Sequence, residues 1–237
     1  MMVFLQSEKI VTIQVLISKN QVVMEDKSSI VKKPRFMKHY ALEIYTVVAM
    51  LFITMVAMFM DHLTVIQQFA VWISFLCILH EWEEGRYPGG FLDLISGKLL
   101  QMDIERETLL SSRLITSVFI FTITLVPFFF GDVYPIFAIA MASFCIFEGI
   151  IHIAGIKLLK LDKPYSPGMV TAEVELVSGI GLITYIVVNH LGSWYDYTFG
   201  PFVFIACFAL MQRGLMAMIG LHYKDMFAIM KRRFAKQ

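Results

Sequence analysis

Apolar residues in this chain are not spread along it but fall in blocks of about 20, the length a helix needs to cross ~30 Å of hydrocarbon at 1.5 Å per residue. No other feature restricts the fold so far, because a backbone surrounded by lipid must satisfy its own N–H and C=O groups, and a helix does so within one segment. The blocks run over 41–60, 63–81, 109–130, 134–156, 168–189 and 199–220. They predict an all-α, polytopic membrane helix bundle of about six transmembrane helices. Composition agrees: 58% of residues are hydrophobic and 16% charged, against roughly 25% charged in soluble domains.

The connections between blocks are asymmetric. All 20 Lys and Arg residues fall in 1–40, 86–113, 157–163 and from 213 onward, and none falls around Asp61-His62, Gly131-Asp132-Val133 or His190 to Gly200. By the positive-inside rule the basic connections are cytoplasmic, which places both the N- and C-termini there after an even number of crossings. Trp194, Tyr195 and Tyr197 suit the opposite interface. A net charge of +1 gives no reason to expect nucleic acid as a partner; membrane lipid is the expected surroundings.

Three regions follow. Residues 1–40 mix charge with short β-prone runs and read as a cytoplasmic arm without a core of its own, with no signal-peptide pattern and with Met37 as an alternative start; 41–220 is the transmembrane domain; 221–237 is a basic cytoplasmic tail. Between the second and third spans, Gly85 to Thr108 is long and only half polar. Its Pro88-Gly89-Gly90 break and apolar Leu99 to Ile104 stretch predict an interfacial helix or re-entrant segment. Cys77, Cys145 and Cys207 are widely spaced inside apolar blocks and read as core residues, not as disulfide or thiolate ligands.

The densest polar cluster is His80-Glu81-Trp82-Glu83-Glu84 at the end of the second span. At helical spacing His80, Glu83 and Glu84 share a face and Glu81 turns aside by about 100°. Three acids at a helix C-terminus oppose the helix dipole, so something positive is expected nearby. Depth brings further groups to the same layer. Glu148 and His152, four residues apart on the fourth span, lie roughly 20 and 27 Å from its start, and His80 lies roughly 27 Å from the start of the second. The fifth span begins at that boundary and carries Thr171, Glu173 and Glu175, the last two about 200° apart.

Glu148 inside a span costs at least ~2.5–3.5 kcal/mol unless it faces protein, water or a cation. Histidines with carboxylates and no cysteine suit zinc, iron, manganese or nickel, with His80, Glu84, Glu148 and His152 as the ligand set and Thr171 and Glu173 as secondary candidates. The alternative is a hydrogen-bonded polar core in which His152 donates to Glu148 and Glu84. Arg113 is placed to counter the acids or to reach the interface.

These residues carry a family resemblance. His80, Glu83 and Glu84 spell His-x-x-Glu-Glu; Pro88 to Phe91 gives Pro-Gly-Gly-Phe; Gly149 and His152 give Gly-x-x-His; Tyr165 to Ala172 gives Tyr-Ser-Pro-Gly-x-x-Thr-Ala. In this order they resemble the HXXEE domain family. The resemblance implies a multi-helix membrane protein without naming a reaction, and it singles out His80, Glu83, Glu84 and His152.

The leading expectation is an intramembrane metal-dependent hydrolase acting on a lipid-like substrate, with Glu83 as general base and the site at the cytoplasmic leaflet. A carrier for protons or divalent cations, and a protein whose polar cluster only locks helices together, are the alternatives. A carrier pathway should continue polar groups into the other half of the spans, where only scattered Ser and Thr occur.

Overall fold

The computed structural model describes residues 39–234. The described residues are helical, without strands. The helices are α1 (Ala41–Phe59), α2 (Val65–Gly85), a single turn α3 (Phe91–Leu94) running into π-helical Ile95–Leu100, α4 (Arg106–Phe130), α5 (Pro135–Leu158), α6 (Met169–Val188), α7 (Trp194–Met218) and α8 (Tyr223–Phe234). Six of them, α1, α2 and α4 to α7, are long and apolar enough to cross a membrane. The chain is a polytopic membrane helix bundle. Of the expected arm, 1–38 lies outside the described residues.

Several helix boundaries shift from their expected places. α2 continues four residues past 81, because Arg86 N–H and Tyr87 N–H still find the Trp82 carbonyl; the His80 to Glu84 segment is therefore fully helical. α4 begins at Arg106, three residues early. α5 runs on to Leu158, where Leu159 N–H still bonds the Gly155 carbonyl. α7 begins at Trp194 because Ser193 and Asp196 form a capping box, a polar start that hydropathy does not register. Residues 86–105 contain no membrane-spanning helix: Gly89, Gly90 and Gln101 adopt positive φ and fold the segment back beside α2. Part of the basic tail forms α8.

α5 packs along α6 and α7, and α2 packs between α4 and α6, with α1 laid against α2 and α4. The α5–α6 approach depends on missing side chains. A Cβ on Gly149 would stand 2.5 Å from Leu176 Cβ, and one on Gly179 would stand 2.7 Å from the Ala142 carbonyl. Small residues at these crossings let the backbones close without a hydrophobic driving force, which lipid does not provide between helices. That closeness carries His152 to the start of α6. The central apolar layer is filled by Ile73, Cys77, Ile123, Met141, Cys145 and Leu182. Trp82 Nε1 donates to Thr46 Oγ1 at 2.8 Å, and Arg86 pairs with Glu43, fixing α1 against the end of α2.

Candidate metal centre

Each of the three acids that oppose the α2 dipole meets a different partner. Glu81 turns toward α4, where Arg113 Nη1 donates to its Oε2 at 2.9 Å; both side chains are buried. Gly85 makes room for this pair, since a Cβ there would lie 2.6 Å from the guanidinium.

Glu83 reaches the N-terminus of α6. It accepts from Val170 N–H (3.1 Å), Thr171 N–H (2.9 Å), Thr171 Oγ1–H (2.6 Å) and Tyr165 O–H (2.8 Å). The N-cap residue of α6 is Gly168, which has no side chain to cap the free N–H groups, so the acceptor comes from α2 instead. Burial, then the bond to Glu83 and its charge, push the Tyr165 phenol above its ordinary value, so it remains a donor. Glu83, expected as the general base, thus has its carboxylate bonded to four donors at the start of α6 and in the loop before it.

Glu84 faces the histidines. Its Oε1 lies 3.5 Å from His80 Nε2 and 3.3 Å from His152 Nε2; Glu148 Oε2 lies 4.0 and 3.8 Å from the same two atoms. The rings stand edge to face with centroids 5.0 Å apart. His80 and His152 are 5% and 3% exposed, and donor atoms of His80, Glu148 and His152 all lie within 4.8 Å of one another.

The outer nitrogens determine what the inner ones present. Thr171 Oγ1 donates its one proton to Glu83 or to the Gly168 carbonyl, so at 3.0 Å from His80 Nδ1 it must accept from an N–H there. Ser166 Oγ lies 3.1 Å from His152 Nδ1 and 3.4 Å from the His152 carbonyl. His80 thus carries hydrogen on Nδ1, and the Nε2 atoms of both rings turn toward two carboxylates. Hydroxyl partners on the far side of a ring are how ligating histidines are oriented.

Separation discriminates between readings of this geometry. Charge-assisted N–H···O bonds fall at about 2.7–2.9 Å, and none of the four N···O distances is below 3.3 Å. Donors arranged around one ion at about 2.0–2.2 Å stand about 3.3–3.6 Å apart. Two of the distances match and two are slightly longer.

Two further residues close the site. Gly168 has φ +91, and a Cβ there would stand 2.7 Å from Glu84 Cγ, 2.8 Å from His152 Cε1 and 2.9 Å from His80 Cε1, so the turn before α6 lies directly against the cluster. Phe91 stacks on His152 with centroids 5.5 Å apart. On the Glu84 side, a cavity of about 30 Å3 lies between Glu84, Leu42, Gly90, Leu92, Leu110 and Arg113.

His80, Glu84, Glu148 and His152 thus come together, with Thr171 behind His80. Glu173 does not join them; it is exposed, and Glu175 on the opposite face of α6 is the buried acid. His62, His190 and His222 are exposed and have no contact with the cluster, while His39, also exposed, lines the cavity beside Glu84. Sequence reasoning missed Ser166, Gly168 and Phe91 as parts of the site. All three lie within the Pro-Gly-Gly-Phe and Tyr-Ser-Pro-Gly elements, which read as turns until their neighbours are known.

Comparison with known proteins agrees with the motif. Residues 71–183 match the family described as protein of unknown function with HXXEE motif. No curated protein and no solved structure matches the chain. The matched stretch contains every residue of the cluster, from His80 on α2 to Thr171 on α6, and residues 71–183 of this chain are an HXXEE domain.

Proposed function

We propose that this protein is an intramembrane metal-dependent enzyme, a hydrolase of lipid-like substrates, with His80, His152, Glu84 and Glu148 as ligands of a divalent ion. The observation that carries the reading is the convergence of two Nε2 atoms and two carboxylate oxygens, at separations too long for charge-assisted hydrogen bonds. Such a set needs positive charge at its centre. A bound zinc, iron, manganese or nickel ion would supply it and would lower the pKa of a coordinated water toward ~7.

The protein's own residues have the remaining tasks. Thr171 holds His80 in the ligating tautomer, Ser166 lies against Nδ1 of His152, and Glu83 holds Thr171. The cavity beside Glu84 has room for about two waters, which makes Glu84 the acceptor best placed to take a proton from water entering there. A lipid-like substrate follows from location, because the site lies among helices with apolar outer faces. Arg86, Arg106, Arg113, Lys157, Lys160 and Lys163 gather at this end of the bundle, which supports a site at the cytoplasmic leaflet with both termini on that side.

The test is elemental analysis of the purified full chain beside His80→Ala and His152→Ala. Near-stoichiometric metal in the native protein, lost in both variants, is the expected result. Folded native protein that takes up none of the four metals on reconstitution would leave the cluster as a protonated packing element and end the enzyme reading.

A further inference from the structure

One buried acid has no place in the four-ligand set. Glu175 on α6 is 0% exposed, and neither carboxylate oxygen has an N–H or O–H partner, its one polar neighbour being the weak donor Cys77 Sγ–H. It lies in the interior of a span, where an ionisable side chain without an N–H or O–H partner marks a functional group more often than a packing one. Its position explains its neighbours. Thr171, whose hydroxyl holds His80, is four residues earlier on α6, so the two share a face with Glu175 one turn further in. Helical side chains lean toward the N-terminus of their helix, which inclines Glu175 back toward the cluster. It interacts with His80, Glu148 and Glu84 of the cluster, and also with Cys77 and Cys145 in the apolar layer below.

We propose that Glu175 is a fifth donor of the centre, joining His80, His152, Glu84 and Glu148 when metal binds. This rests on the metal-centre reading above and goes beyond it in metal class. Two imidazoles and three carboxylates exceed the four donors of a tetrahedral zinc site and suit ions that take five or six ligands with oxygen in the majority, namely iron or manganese. Three carboxylates also balance a trivalent state of either ion, which two would leave with excess positive charge.

Cobalt(II) added alone to the metal-free full chain reads coordination number directly. Its visible bands are intense in a four-coordinate tetrahedral field, which lacks an inversion centre, and weak when five or six donors surround the ion. The native protein is expected to show weak bands. Glu175→Gln should intensify them and weaken cobalt affinity at least about tenfold, while Glu175→Asp, which keeps the charge on a shorter arm, should fall between. Intense four-coordinate bands in the native protein overturn the proposal without any variant, as does a Glu175→Gln spectrum and affinity equal to native; both leave the four-ligand centre standing. Failure of cobalt to bind folded native protein overturns the centre and the fifth donor together.

Discussion

The two ends of the bundle use polar residues in different ways. At the end formed by the α1–α2, α4–α5 and α6–α7 connections, polar side chains cap the helices that carry them, and Thr64 and Gln67 also reach the α4–α5 connection and the end of α4. Thr64 and Gln67 form a capping box on α2 and Ser193 and Asp196 another on α7, while Asp132 of the α4–α5 connection, 68 residues along the chain, accepts from Thr64. His62 and His190 there are exposed. At the other end hydroxyls such as Ser111 and Ser117 still bond their own helix, but the acids and histidines of α2 and α5 reach other elements. Glu83 caps a helix 87 residues away, Glu81 meets Arg113, and His80 and His152 meet from α2 and α5. Where capping accounts for the polar residues, no site need be sought; where it fails for three acids at one helix end, Glu81, Glu83 and Glu84, the explanation lies in tertiary structure.

The sharpest way to break this comparison is Arg113→Met. It leaves Glu81 buried without a counter-charge, and removal of one member of a buried pair costs about 3–5 kcal/mol. A large fall in thermal stability of the detergent-solubilised protein is expected, with much of it recovered in the Glu81→Leu/Arg113→Met double variant. Equal stability of single variant and native protein would show that the pair is not the constraint described. A smaller and more selective effect is expected from Thr171→Val, which keeps shape but removes the acceptor for His80 Nδ1–H. Loss of such an orienting hydroxyl costs about 10–100-fold in metal affinity, read by competition with a chelator, with folding preserved.

How much of this could be read from the sequence depends on how far apart the partners are. The spans were legible because hydropathy is a sum over neighbouring residues, and the cluster was legible in outline because helical depth is additive: His80 and His152 reach the same layer by counting 1.5 Å steps. The pairing of Glu83 with α6 was not legible. It depends on Gly168 offering no cap and on the rotation of α2 relative to α6, which no local pattern encodes. The choice between Glu173 and Glu175 had the same difficulty. Their opposite faces were evident from spacing, but which face looks inward is decided by Gly149 and Gly179 packing α5 onto α6.

The smallest effect belongs to the capped end and tests the comparison from the other side. Thr64 Oγ1 accepts from Gln67 N–H at 3.2 Å and donates to Asp132 at 2.8 Å, both at exposed positions. Thr64→Ala removes both bonds, and loss of an N-cap costs about 1 kcal/mol. The loss should appear as a slightly lower unfolding temperature with metal content unchanged, because this end is separated from the imidazoles by most of the length of α2 and of α5. If Thr64→Ala instead lowered metal affinity as Thr171→Val does, α2 would be passing rotation or displacement along its 21 residues, and the two ends would form one mechanical unit rather than a set of caps and a separate site.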